Sequence, residues 1–243
     1  MMSSLNNSLP SRTVYLLAGI VLLGLSAALA ADFWENKDYK QWTQKECMKI
    51  LQESPWAQDY KVYARSTSSG DAAEGQQYIS YAIQLLSATP VRHAQVRAMQ
   101  IQNKYESLPP DQKQAFDKQA EGFLGTPDKI VVNVAYSTNV QRLDMDLSRH
   151  WQTQVTSVFQ NSVYLIPGKG KKVPIAEYKV GSGAARGFQF IFPREFEGKP
   201  VLNPDDKSLI LEFPYPTLGG IGDGRGMVEF KVKKMVYNGQ LEY

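Results

Sequence analysis

The 243-residue chain reads as an α+β protein, with N-terminal helices and a few strands followed by an antiparallel β-rich C-terminal half. That half would form a meander, a sandwich or a partly open barrel. Three observations predict this class. Apolar residues recur at steps of three and four through four segments before residue 160. Short β-branched and aromatic runs dominate after it. Turn clusters such as Pro167-Gly168-Lys169-Gly170 and Asn203-Pro204-Asp205-Asp206 separate those runs at spacings that suit antiparallel pairing.

The elements follow in order. Thr43 and Glu46 have the spacing of a capping box, Cys47, Ile50 and Leu51 share one helical face, and Pro55 stops the segment, which predicts a helix over Gln44–Glu53. Residues 60–65 read as a strand. In residues 77–85, Ile79, Tyr81, Ile83 and Leu85 alternate with polar Ser80 and Gln84, the period of a half-buried strand, although Tyr78, Ala82 and Leu85 also share a helical face. Thr89-Pro90 supplies a hydroxyl cap and a pre-set φ, and Val91, Ala94, Ala98, Ile101, Tyr105 and Leu108 extend the best-marked helix as far as Pro109-Pro110. A second helix carries Ala115, Phe116, Ala120, Phe123 and Leu124 and ends at Gly125 and Pro127. The short break makes the two an antiparallel hairpin. Residues 130–136 form a buried strand, and Leu143, Leu147, Trp151, Val155 and Phe159 mark one more helix after the hairpin. Runs at 162–166, 173–180, 187–192, 208–213 and 227–236 complete the strands. Residues 31–160 thus form a helix-rich region and 161–243 a β region, packed as one domain or standing apart.

Residues 1–30 are of another kind. Arg12 precedes an apolar run from Val14 to Leu25, and Ala28-Leu29-Ala30 supplies small residues at a cleavage site, the pattern of a secretory signal peptide. About 16 apolar or small residues fall short of the roughly 20 that span a bilayer. Removing Arg12 from 27 basic residues leaves 26 against 24 acidic, so the remaining chain is nearly neutral. Such a charge predicts no nucleic-acid partner, and a membrane partner only if the leader stays uncleaved. Cys47, the sole cysteine, closes no disulfide within the chain and fits a buried helical position.

Chemical motifs are sparse. His93, beside Arg92 and Arg97, reads as a solvated helix histidine. Asp144, Asp146 and His150 form a weak metal candidate: two or three ligands at helical spacing fall short of a closed site, and an exposed ion pair on the helix accounts for them better. No cofactor is predicted. Lys169-Gly170-Lys171-Lys172 lacks the first glycine and the hydroxyl of a phosphate loop. Gly219-Gly220-Ile221-Gly222-Asp223-Gly224 reads as a flexible loop with the length of a gate. Glu195 and Glu197 offer a pair of carboxylates, but Pro193 breaks the alternation that would aim them together.

Aromatic residues crowd the start of the exported part, where Phe33, Trp34, Tyr39, Trp42, Trp56 and Tyr60 lie close in sequence. Trp34, Trp42 and Trp56 are the candidate ligand- or partner-binding residues, an aromatic platform for a glycan or protein; for Trp42 and Trp56 the favoured reading is a small core that closes the short helix onto the sheet. The run from Trp42 to Ala57 has the form W-T-x-x-E-x-x-x-I-L-x-x-S-P-W-A. With Ser87-Ala88-Thr89-Pro90-Val91-Arg92 and Phe192-Pro193-Arg194, it resembles a group of bacterial exported proteins of unknown function. Some of these are loosely similar to GWxTD-domain proteins, whose G-W-x-T-D motif is absent here. The resemblance implies no activity and carries over no catalytic residue. The expectation is an exported, periplasmic or extracellular binding protein with an unknown protein or glycan partner. Its rivals are a secreted carboxylate hydrolase of glycosidase type and, if the leader is retained, a membrane-tethered assembly factor.

Overall fold

The computed structural model describes residues 32–64, 76–168, 170–181, 186–222 and 224–243. Residues 1–31, the whole polar loop at 66–75, Lys169, Ser182, Gly183 and Asp223 lie outside them. The chain divides into a unit that ends at Lys37 and a second that runs from Asp38 to Tyr243. In the first, α1 (Phe33–Asn36) sets the Phe33 and Trp34 rings edge to face at 5.1 Å.

The second unit is α+β. Helix α2 (Gln44–Glu53) starts on the predicted capping box: Thr43 N donates to Glu46 Oε2 at 2.7 Å and Glu46 N to Thr43 Oγ1 at 3.3 Å. A cap of this kind stabilises the helix by about 0.5–2 kcal/mol. Strand β1 (Ala57–Tyr63) follows, then β2 (Tyr78–Leu85), whose buried residues are the predicted Ile79, Tyr81, Ile83 and Leu85. The competing helical face is therefore not used. Helix α3 (Thr89–Gln102) is shorter than its apolar pattern predicts, because Lys104 adopts a left-handed φ of 51° and Tyr105–Ser107 continues only as a 3-10 turn. Helix α4 is Pro110–Leu124.

Strand β3 (Lys129–Thr138) leads into α5 (Gln141–Gln152), buried through Leu143, Leu147 and Trp151. The helix stops there. Val155 lies exposed before the short α6 (Thr156–Phe159), so the single five-residue stripe of the sequence is split in two. The remaining strands are β4 (Tyr164–Pro167), β5 (Val173–Pro174), β6 (Glu177–Val180), β7 (Gly187–Pro193), β8 (Glu195–Phe196), β9 (Lys199–Pro200), β10 (Ser208–Tyr215), β11 (Gly224–Lys231), β12 (Val236–Tyr237) and β13 (Gln240–Leu241).

Every strand pairing is antiparallel. One sheet has the order β1-β2-β3-β7-β6 and a second the order β11-β10-β4-β5. The first therefore takes strands from both sequence regions, with Val132 opposite Phe190 across β3 and β7. At one corner the chain passes between sheets: Ile175 N donates to Val163 O, and Ala176 N to Ile191 O. At the opposite edge Ala64 bridges Ile221, and the Tyr60 ring meets Phe213 at 6.0 Å. The C-terminal strands therefore do not make a meander, sandwich or barrel of their own; they complete an antiparallel α+β fold together with β1, β2 and β3.

Aromatic rings fill its interior. Trp151 stacks on Phe188 at 4.2 Å, and Tyr81 sets its ring edge to face with Phe213 at 5.5 Å. Burial raises the Tyr81 phenol pKa, and its hydroxyl and Trp151 Nε1 lie beside one another without a well-formed hydrogen bond. Each fully buried ring contributes about 1.5–3 kcal/mol of transfer free energy, so this cluster anchors α5 to both sheets.

Candidate functional site

The candidate residues part company in three dimensions. Trp42 and Trp56 are both 0% exposed. That corrects the platform reading for these two: neither presents a ring face to a ligand, because each is enclosed by chain segments distant in sequence. Trp42 packs edge-on against Tyr39, His93 and Tyr237, each at 6.4 Å between ring centres. Trp56 Nε1 donates to Glu242 O at 2.8 Å. Trp34 is 3% exposed in the separate N-terminal unit.

The metal candidates do not assemble either. Asp144 forms an ion pair with Arg186, Asp146 faces Arg149 at 3.4 Å, and His150 lies edge to face with Trp151. Among the described residues no group of three ligating side chains gathers at one point. Glu197 occupies a left-handed turn position, φ 52°, between β8 and β9 and pairs with Lys171 at 2.7 Å, so it does not oppose Glu195 across a cleft. Cys47 is buried.

His93 is a correction of a different sort. It is half-buried rather than solvated, stacked on Tyr39 at 4.0 Å, with Nδ1 3.0 Å from the Tyr237 hydroxyl. Burial, reinforced by the charge of Arg92 and opposed by Asp38, pulls its pKa down to about 4. A neutral imidazole pinned between rings binds chain segments together.

The motif islands do converge, on the last residues of the chain. Thr89 does not cap α3 with its own hydroxyl, because Ala88 is the N-cap. Instead Glu242 Oε2 accepts from Thr89 N at 3.0 Å, placing a carboxylate on the helix N-terminus from 153 positions away. Arg194 Nη2 donates to Tyr243 O at 2.7 Å, and its guanidinium lies 4.7 Å from the Tyr243 ring. Arg92, 4% exposed, reaches Leu124 O at 2.6 Å and Gly125 O, the open carbonyls at the end of α4. The W-T…S-P-W-A, S-A-T-P-V-R and F-P-R segments therefore build one structural joint.

Open concave surface lies elsewhere, on both sides of the α3–α4 pair. None of the 15 residues of α4 is buried. Val96 and Ala120 line both hollows. On one side Met99, Leu108, Phe116 and Phe123 line a mainly apolar groove of about 540 Å³. On the other, a cleft of about 680 Å³ is bounded by Tyr39, Arg97, Gln100, Tyr105, Asp117 and Glu121. Both volumes fall within the range typical of small-ligand sites.

The polar cleft is held in a fixed arrangement. Arg97 Nε donates to Trp42 O at 3.1 Å and Nη1 to Gln100 Oε1 at 3.2 Å. The Tyr105 hydroxyl lies 2.8 Å from both carboxylate oxygens of Asp117. Glu106 Oε1 is 3.9 Å from Arg97 Nη1.

No protein-family model, curated protein or solved structure matches this chain. The cleft must be read from its own chemistry. It supplies a cationic and amide floor, an acidic helical wall and two tyrosine rings, all of which orient a polar ligand. Sequence reasoning missed these residues. The signal open to it was the i, i+3 spacing of Arg97 and Gln100, which places them side by side on one helix face but does not say what that face meets.

Proposed function

We propose that this is an exported, non-enzymatic binding protein that holds a small ligand or a partner segment, of protein or glycan kind, against the α3–α4 pair. The observation that carries the reading is α4 itself: a 15-residue helix without one buried residue, flanked by two open hollows. A helix contributes little to a fold when it buries so little, and uncovered apolar surface beside a polar cleft suits recognition. Export rests on the leader pattern of residues 1–30.

The test is a titration of the full chain with three soluble probes, N-acetylglucosamine, a dipeptide and the dye anilinonaphthalene sulfonate, followed by calorimetry and amide exchange. Saturable binding that protects α3 and α4 is the expected result. Absence of binding by all three would sink the reading. Sequencing the amino terminus of exported material should give a start at Ala31; a start at Met1 would favour the tethered alternative.

One observation favours a second reading. Glu106, Asp117 and Glu121 all line the polar cleft, as a carboxylate hydrolase would require. Turnover of a saccharide substrate abolished by Glu121→Gln would establish it in place of binding.

A further inference from the structure

We infer that the polar cleft selects a zwitterionic ligand of the amino-acid or short-peptide class, its carboxylate on Arg97 and Gln100 and its ammonium toward Glu121. This rests on the binding reading and narrows it. Gln100 is 8% exposed yet lines the cleft. Its Oε1 is taken by Arg97, while its Nε2 donates to no protein acceptor among the described residues. The residue is nearly buried, yet this amide is still reachable from the cleft, so a ligand oxygen can accept its hydrogens. Arg97, 18% exposed, is fixed through Nε and Nη1, which leaves Nη2 without a protein acceptor. A fixed guanidinium beside an amide donor matches the two oxygens of a carboxylate.

Glu106 shows how such a group would be received. Its carboxylate stands 3.9 Å from Arg97 on a side chain 81% exposed, too far for a hydrogen bond and poorly held, so an incoming carboxylate can displace it. Across the cleft, Asp117 is engaged by the Tyr105 hydroxyl, whereas the Glu121 carboxylate has no hydrogen bond or ion pair to protein among the described residues. The floor is therefore cationic and the α4 wall anionic. A neutral saccharide leaves that polarity unused, and a dianion meets repulsion at the wall.

The experiment titrates the full chain with L-alanyl-L-alanine, its N-acetyl and C-amide forms, and N-acetylglucosamine, by calorimetry at low salt. The free dipeptide should bind, and blocking either end should weaken binding about tenfold or more, the loss expected for a charge-assisted hydrogen bond. Arg97→Met should do the same. Glu106→Gln, at an exposed position that does not threaten folding, should tighten binding by roughly two- to fivefold, the scale of a weak surface ion pair. Equal binding of free and blocked dipeptides overturns the inference. So does unchanged affinity in Glu106→Gln. If N-acetylglucosamine binds and the dipeptides do not, the zwitterion assignment falls and the binding reading stands; if neither they nor anilinonaphthalene sulfonate bind, both fall.

Discussion

Replacing Arg92 with methionine removes the charged clasp between α3 and the end of α4 while keeping an unbranched chain of similar length. Arg92 Nη1 contacts the carbonyls of Phe123 at 3.4 Å, of Leu124 at 2.6 Å and of Gly125, and Nη2 donates to Thr89 Oγ1 at 2.9 Å. One nitrogen carries only two hydrogens, so the three carbonyl contacts count as two bonds. With the Thr89 bond that makes three, and at about 1.5–3 kcal/mol for each charged bond the gross loss is about 4.5–9 kcal/mol. Against it stands the buried Nε, which has no partner and whose removal returns about 1–3 kcal/mol. The net expectation is a destabilisation of about 4–5 kcal/mol, or a fall in Tm of roughly 8–20 °C for a domain of this size. Because α4 buries none of its own residues, the loss should concentrate there. Urea unfolding followed by tryptophan fluorescence measures the total, and hydrogen exchange at residues 110–126 measures the local part. A change below about 1 kcal/mol together with unaltered protection of α4 would refute the clasp.

Two further outcomes follow from the packing. His93 is held neutral in the folded state with a pKa near 4, against an ordinary 6.5, so the unfolded chain binds the extra proton between those values. Its contribution is complete above pH 6.5 and disappears as pH falls toward 4, about 1–2 kcal/mol after allowance for the partly exposed ring. His93→Gln should flatten the stability profile between pH 7 and 4.5, and an unchanged slope contradicts the assignment. The glycines should separate by environment. A Cβ at Gly187 would stand 2.7 Å from Val134 O on the paired strand, so Gly187→Ala should cost about 1–3 kcal/mol. At Gly122 within α4 nothing lies within 4 Å, so Gly122→Ala should stabilise by about 0.5–1 kcal/mol, both measured by urea midpoint.

Much of the fold was legible in residue order. The capping box at Thr43 and Glu46, the alternation of β2 and the limits of α4 all reflect forces acting within about four residues, which a sequence displays directly. The errors share one cause. Thr89 looked self-capping, but a carboxylate from Glu242 takes its amide; the α3 pattern ran past a left-handed Lys104; Val155 matched a stripe that had already ended. His93 stood one step off an apolar face and still became part of a ring cluster, because Tyr39 and Tyr237 arrive from opposite ends of the chain. The candidate site was barely legible, since Arg97 and Gln100 announce their adjacency but not the cleft beneath them.

By itself the sequence determined the fold class, the antiparallel character of the strands and a nearly neutral chain behind an apolar N-terminal run. Periodicity, capping and charge are local or additive properties, and they survive translation from a list of residues. Only the tertiary structure decided which tryptophans are core, which carbonyls Arg92 closes, and that the three motif segments meet at Glu242 and Tyr243. Those outcomes depend on contacts between residues up to 186 positions apart. Burial and hydrogen-bond partnership belong to pairs of surfaces, and no single segment carries both members of the pair.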